Sequence, residues 1–538
     1  MSMIVECIFF LVFWTIGVFG QNNESFEDNC TALGSLQLPN ATIWFSQYVP
    51  AGTNLSFADS DPTCQASGYA FQAVSVSLCR IALYVATSNR SGISMETWLP
   101  SNWTGRFLST GNGGLNGCIP YNDMAYTTGL GFATVGANNG HNGTSGEAFL
   151  NNSEVVTDFA WRSIHTNVVV GKEITNEFYK KPYSKSYYLG CSTGGRQGFK
   201  SAQSFPSDFD GIVAGAPAVA FNNLTSWSGH FYLATGPANS SAFIPLDLWP
   251  TIHQDILNQC DGIDGALDGI IENPLLCTYD PKTLLQNGTL TQSQVDAVRR
   301  IFAPLYDGDG SLVYPPMQPG SELNGAPQIF YNGQPFQYTR DWFGYAIYNN
   351  PNWDPATINP NDYDFAYRKN PADIESWSDL TAFQASGGKI LHYHGLADNI
   401  ISSDNSPRYY EYLLRAMNAT PSTFDPFYRF FRISGMAHCS GGQGAWIIGQ
   451  RAGATVDPNG NVLTAMVRWV ENGVAPDTIE GIKYVDDDPT KAVQIARRHC
   501  RYPLSNVYVG PEDPSNPKAW KCVAQAKEKL PSWLYQGG

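Results

Sequence analysis

The stretch YYLGCSTGGRQG, residues 187–198, decides the fold. An apolar run reads as a buried strand, a Gly-x-Ser-x-Gly turn follows from Gly190 to Gly194, and a helix starts behind it. Such a turn lifts its serine, here Ser192, clear of the sheet. A serine hydroxyl is a weak nucleophile at neutral pH. It needs a histidine base within hydrogen-bond reach and a carboxylate to orient that base. The turn also sets Cys191 directly before Ser192, where a free thiol is an oxidation hazard.

Downstream, ISGMAHCSGG (433–442) places His438 in a glycine-rich loop after an apolar run, with Cys439 next to it. A cysteine therefore precedes the serine and another follows the histidine. If Cys191 and Cys439 bond, their Cα atoms come within about 4.4–6.8 Å, which makes Ser192 and His438 neighbours. ILHYHGLADNIIS (390–402) supplies the acid: Asp398 lies just past a strand, with Asp404 as the nearby rival. His392 and His394 read as packing or hydrogen-bonding residues. The chain order Ser192, Asp398, His438 is that of α/β-hydrolases. An oxyanion hole needs two N–H donors. Thr193 N–H is one by position, and STGNGGLNGC (109–118) offers the second around Gly113 or Gly114.

Short apolar runs at 106–110, 131–135, 186–190, 211–215, 389–393 and 428–432 read as buried strands. Helical patterns at 158–179 and 463–472 alternate with them, which argues for a mostly parallel sheet. Residues 217–386 differ, being rich in Pro, Gly, Asn, Tyr and Trp with weak strand signals. So long a structureless loop is improbable, so this stretch reads as a folded lid. The catalytic part is then 21–216 with 387–538.

Residues 1–20 read as a secretory signal peptide, and no later segment is apolar enough to span a membrane. Dense N-x-S/T sequons, from Asn23 to Asn418, suit an extracellular glycoprotein. Removing Cys7 with the leader leaves an even set of cysteines, which favours full pairing in an oxidising compartment. The net charge of −15, with 32 Lys and Arg, disfavours a nucleic-acid partner. No C-x-x-C is present, which disfavours zinc or thioredoxin-type chemistry.

GCSTGGRQG, HGLAD and GMAHC together resemble the fungal tannase and feruloyl esterase family, and the resemblance runs over about 30–522. STGNGGLNGC, GFATVGANNGH, YRFFRISGMAHC and RRHCRYP look most like the type-B feruloyl esterases of filamentous fungi. The resemblance implies an α/β-hydrolase fold with a large inserted lid, and the roles of nucleophile, acid and base for Ser192, Asp398 and His438. It implies the pairings Cys30–Cys79, Cys64–Cys118 and Cys500–Cys522. It also implies a structural calcium ion in CDGIDGALDGIIENPLLC (260–277), held by carboxylates of Asp261, Asp264 and Asp268 and backbone carbonyls of Ala266 and Ile270. Calcium takes six to eight oxygens, and this loop is not an EF-hand. The plainer reading of the loop is an acidic turn clamped by Cys260 and Cys277.

The implied activity is that of a secreted serine carboxylesterase acting on hydroxycinnamate esters (ferulate, p-coumarate, caffeate) of plant cell-wall polysaccharides. A tannase acting on gallate esters is the near alternative. A non-catalytic, calcium-dependent glycan-binding protein is the alternative from another class. Aromatics in YTRDWFGYAIYNNPNW (338–353) can stack on an acyl ring or serve as lid core.

Overall fold

The structure is a computed structural model that describes residues 25–524 and 530–536. The expected leader at 1–20 and the sequon at Asn23 lie outside the described residues. Among those residues one sheet of nine strands organises the molecule: β1 (Ala41–Val49), β2 (Leu78–Ala86), β3 (Gly92–Pro100), β4 (Arg106–Thr110), β5 (Phe132–Ala137), β6 (Lys185–Cys191), β7 (Gly211–Gly215), β8 (Lys389–Gly395) and β9 (Tyr428–Ile433). Their order is β1-β2-β3-β5-β4-β6-β7-β8-β9. The pairings from β1 through β3 to β5 are antiparallel, and those from β5 across to β9 are parallel. Strands of the parallel part are covered on both faces, so they read as continuous apolar runs; every residue of β7 is buried.

Side chains alternate between two cores. Phe107 and Tyr188 join one face, packed under helix α2 (Ser163–Tyr179) and helix α3 (Thr193–Ser204). Leu108, Tyr187 and Leu189 join the other face, with helix α4 (Val462–Asn472). Strand β4 lies between β5 and β6, so the chain moves one way from β4 and the opposite way on reaching β6. The loops leaving the carboxyl ends of β4 and β6 therefore diverge at a topological switch point, where a ligand crevice opens in such sheets.

The helix expected at 158–179 is longer and interrupted. A helix spans Ser153–Thr157, a π-helical turn spans Asp158–Arg162, and α2 follows. Buried Asp158 sits at the break, where it accepts Arg162 Nε–H at 2.6 Å and the Thr87 hydroxyl at 2.8 Å.

After Gly215 the chain leaves the sheet and returns at Lys389. In between lie helices at Phe221–Thr235, Trp249–Cys260, Gln292–Ile301 and Pro360–Lys369. Trp227, Phe231, Trp249, Tyr331 and Trp342 give this segment its own core, which Phe149 and Phe159 of the sheet-bearing part enter. Five disulfides join Cys30–Cys79, Cys64–Cys118, Cys191–Cys439, Cys260–Cys277 and Cys500–Cys522 among the described residues.

Candidate active site

Ser192 sits between β6 and α3 with φ of +66° and ψ of −125°. That conformation costs a non-glycine residue about 1–3 kcal/mol, and the surroundings impose it. Ser192 N–H donates to Gly215 O at 3.0 Å, and Ala218 N–H donates to Ser192 O at 3.0 Å. The flanking glycines are steric necessities. A Cβ on Gly190 would lie 2.8 Å from the Gly194 carbonyl, and one on Gly195 would lie 2.3 Å from Gly215 O. The strand, turn and helix can close this tightly only without those side chains.

Asp398 follows β8 and is fully buried. Its Oδ2 accepts His438 Nδ1–H at 2.7 Å, and its Oδ1 accepts the backbone N–H groups of Ile400 at 2.8 Å and Ile401 at 2.9 Å. Burial alone would raise its pKa. His438, by charge and hydrogen bond, and His394, by its hydrogen bond, overcome burial and hold it below the ordinary carboxylate value. Asn399 Oδ1 accepts His438 N–H at 3.2 Å, so the acid loop also fixes the base loop. Asp404 makes no such contact. It is buried at the start of the helix Asn405–Ala416, and burial pushes its pKa up to about 7 against the nearby Arg432.

His394 does more than pack. Its Nε2 lies 3.1 Å from Asp398 Oδ2 and its Nδ1 2.6 Å from Ser406 Oγ. Ser406 Oγ lies 2.9 Å from His392 Nε2, and His392 Nδ1 lies 2.7 Å from Tyr428 Oη. All five side chains are buried. With each bond pointing toward Asp398, Tyr428 donates to His392, His392 to Ser406, Ser406 to His394 and His394 to the carboxylate. Every polar atom of the chain is then satisfied. Burial holds His392 well below the ordinary histidine value, so it serves as a neutral link.

Cys191 and Cys439 are bonded, with Cα atoms 6.0 Å apart across a sequence separation of 248. The bond ties the residue before Ser192 to the residue after His438. Ser192, His438, both cysteines and the 111–114 loop line one cleft of about 340 Å³ at the switch point.

The 111–114 loop is held against the turn. Gly111 N–H donates to Leu189 O at 3.0 Å, Asn112 N–H donates to Gln197 Oε1 at 3.0 Å, and the Thr193 hydroxyl donates to Gly114 O at 2.7 Å. Asn112 N–H is therefore engaged, while a Cβ on Gly113 would meet Asn116 Nδ2 at 3.7 Å and Gly114 adopts φ of +53°. Thr193 opens α3, where the N–H groups of the first turn have no helical partners. Thr193, Gly113 and Gly114 are thus gathered at the cleft.

Sequence reasoning missed much of the remaining wall. Tyr69, Asp123, Ile400 and Arg451 line the cleft and come from four separate places in the chain, Tyr69 from a π-helical turn (Gln65–Tyr69), Asp123 from the helix Tyr121–Gly129 and the other two from loops, with no shared motif to mark them. Tyr338 lines it too and would lie 2.2 Å from a Cβ on Gly114; its neighbours Trp342 and Phe343 belong to the lid core instead. Asp123 keeps part of its surface open but is crowded enough that desolvation pushes its pKa up to about 7, against the pull of Arg451.

In the 260–277 loop, Asp261 accepts Gly269 N–H, Asp264 accepts Ala266 and Glu272 N–H, and Asp268 accepts Ile270 N–H. Among the described residues no group of three or more His, Cys, Asp or Glu side chains is gathered to hold a metal by itself. The carboxylates of Asp261, Asp264 and Asp268 are hard oxygen donors of the kind calcium takes. The carboxylates crowd one another, and burial pushes Asp264 up to about 7. Arg497 is the cation that meets them, donating to Glu272 at 2.9 Å and Asp268 at 2.5 Å.

A sequence model described as Tannase and feruloyl esterase matches residues 79–358 and 371–523. A relative from Aspergillus oryzae named "Probable feruloyl esterase B-2" is 54% identical over 512 residues, covering 93% of this chain and 96% of that one. The crystal structure of feruloyl esterase B from Aspergillus oryzae superposes with a TM-score of 0.89 at 50% identity, over 93% of this chain and 100% of that one. Tannin acyl hydrolase from Aspergillus niger superposes with a TM-score of 0.73 at 22% identity, over 94% and 96% of the two chains, which shows the shared fold. With its serine turn, its buried acid and its base loop set on an α/β-hydrolase sheet, the chain belongs to the tannase and feruloyl esterase family.

Proposed function

We propose that this protein is a serine carboxylesterase that hydrolyses hydroxycinnamate esters of plant cell-wall polysaccharides. The observation that carries the reading is the 2.7 Å bond from His438 Nδ1 to buried Asp398, in one cleft with Ser192. His438 takes the proton of Ser192 as the hydroxyl attacks the ester carbonyl. Thr193 N–H and the Gly113–Gly114 backbone stabilise the oxyanion. His438 then protonates the leaving alcohol, and water releases the acid from the acyl-enzyme by the same steps. Asp398 holds the imidazole in the tautomer that exposes Nε2 to Ser192, and offsets the charge it acquires.

The 54% identity to a protein named for feruloyl ester hydrolysis supports ferulate over gallate; the tannin acyl hydrolase likeness supports the fold alone. The buried acid–base pair argues against a purely glycan-binding role. Calcium in the 260–277 loop is part of the proposal. Asp261, Asp264, Asp268, Ala266 and Ile270 would hold it, and its chemistry would be charge neutralisation and loop closure, with no part in the reaction at the ester. Export and glycosylation rest on the leader-like segment and the sequons.

Initial rates on methyl ferulate, methyl caffeate, methyl p-coumarate and methyl gallate test the reading, with Ser192→Ala as control. Cinnamate turnover is expected, falling by at least about 10⁴-fold in the variant. Turnover of gallate alone overturns the substrate assignment. Full activity in Ser192→Ala overturns the mechanism.

A further inference from the structure

A second cavity, of about 370 Å³, adjoins the catalytic cleft. Tyr69 lines both, and the loop that supplies Gly113 and Gly114 runs on to Gly117 and Cys118, which line the second. The Cys64–Cys118 bond is part of the wall of the second cavity.

The feature that sets this cavity apart is a β-bulge in the edge strand β1. Ile43 pairs with Leu83 and Phe45 pairs with Ala82, so Trp44 is an extra residue. On a regular strand Trp44 and Phe45 would point to opposite faces. The bulge lets both line the cavity, where Trp44 is 56% and Phe45 38% exposed. Two neighbouring aromatic rings left open to water on a bulged edge are unusual for packing and suit recognition.

The floor is rigid and carries no unbalanced charge. Arg80 forms a two-pronged ion pair with Glu96 at 2.6 and 2.7 Å, and its guanidinium lies 5.0 Å from the centroids of both Phe45 and Phe57. Glu96 also accepts the Tyr121 hydroxyl at 2.9 Å and Trp98 Nε1–H at 2.7 Å. The charges of the floor satisfy one another, and the Asp59 and Asp61 carboxylates that also line the cavity disfavour an anionic ligand while offering acceptors to hydroxyl groups. Aromatic faces beside hydrogen-bonding groups at the rim, among them Asp59 and Asn142, match a ring with C–H groups on one face and hydroxyls at its edge.

We propose that this cavity is a subsite for a neutral sugar unit of the polysaccharide that carries the ester, with Trp44 and Phe45 as the stacking platform. The proposal rests on the esterase reading, and the test keeps the two separate. The ratio of kcat/KM on a feruloylated arabinoxylan oligosaccharide to kcat/KM on methyl ferulate is measured for the wild type, Trp44→Ala, Phe45→Ala and Trp44→Tyr. In parallel, binding of the unesterified oligosaccharide to Ser192→Ala protein is titrated with and without Trp44→Ala. The ratio is expected to fall roughly tenfold in the alanine variants and to recover in part with tyrosine. Oligosaccharide binding should weaken with Trp44→Ala. An unchanged ratio, or binding indifferent to Trp44, overturns the subsite. So does binding that appears only after glycan is removed from Asn142, since the chain's own sugar would then be the occupant. Loss of turnover on both esters in the wild type would refute the esterase reading alone, because the binding titration reads the subsite without turnover.

Discussion

Asp398 holds two histidines, and only His438 can reach the substrate. His394 supplies the second hydrogen bond to the same oxygen and is anchored through Ser406, His392 and Tyr428 to the sheet core. It is a positioning residue. His394→Ala should lower kcat roughly tenfold with little change in KM, because the acid loses one of the contacts that fix its angle to His438. The pH dependence separates this from simple loss of packing. An acid whose folded pKa lies below its unfolded value of 3.8 contributes stability above that value and loses it as the pH falls through the folded one. Removing His394 raises the folded pKa of Asp398, so acid unfolding should move to higher pH. His394→Gln, which retains an N–H donor, should restore part of both effects. Asp123 has the opposite sign. Its folded pKa of about 7 exceeds its unfolded value of 3.8, so folding favours the proton, and the ionised form is penalised as pH rises from about 4 through 7. Asp123→Asn should therefore match the wild type in Tm near pH 4 and exceed it by about 1–3 °C at pH 8. A constant difference across that range would mean that Asp123 is not titrating there.

At the scale of elements, the site is two turns held together by a covalent bond. Closing a sequence separation of 248 restricts the unfolded chain by about 5 kcal/mol in the chain-entropy account, less any native strain. The double variant Cys191→Ser with Cys439→Ser should therefore be less stable. It should also lose about 10²-fold in kcat/KM at temperatures where it remains folded, because the bond sets the approach of base to nucleophile. A large Tm loss with kcat/KM intact would confine the bond to stability. Much of this was legible in the chain. The strands of the parallel part are covered on both faces and announce themselves as apolar runs, and the glycines at 190 and 195 are dictated by clashes that any larger side chain would make. The antiparallel strands β2 and β3 were not singled out, although Leu78–Ala86 is mostly buried; Arg80 and Tyr84 interrupt it and blur the signal. The π-helical turn at Asp158–Arg162 has no local signal in the chain, and the bond its buried Asp158 makes to Thr87 joins residues far apart in sequence. Tyr69, Asp123 and Arg451 were illegible for the same reason: nothing local marks a residue as cleft wall when the cleft is made by tertiary assembly.

On the scale of the whole molecule, three parts meet behind His438. The 260–277 loop touches β9 and the base loop that follows it, since Asn273 Oδ1 accepts Arg432 Nη2–H at 2.6 Å and an Ile270 methyl lies 3.1 Å from where a Gly435 Cβ would be. From the C-terminal side, Arg497 on the strand Val493–Cys500 reaches the acids of the same loop and stacks on Trp520, 3.9 Å from the ring centroid. Arg497 pairs with Asp268 and Glu272, and Arg432 also acts on Glu272, so two arginines stand against the four acids Asp261, Asp264, Asp268 and Glu272. A bound calcium ion would make up the difference, and its removal should be felt on all three sides. Binding to the folded chain alone stabilises by about 2.7 kcal/mol when the ion is at a hundredfold its dissociation constant. Chelation should accordingly lower Tm by several degrees, with recovery on adding Ca²⁺ and little on adding Mg²⁺, which prefers a tighter octahedral shell. Because the loop supports the segment that carries His438, kcat should fall a few-fold in the same titration. Asp264→Asn should reproduce the Tm loss and make it insensitive to chelator. A Tm that ignores both chelator and added Ca²⁺ would leave the loop as an acidic turn held by Cys260–Cys277 and Arg497, with the base loop resting on protein contacts alone.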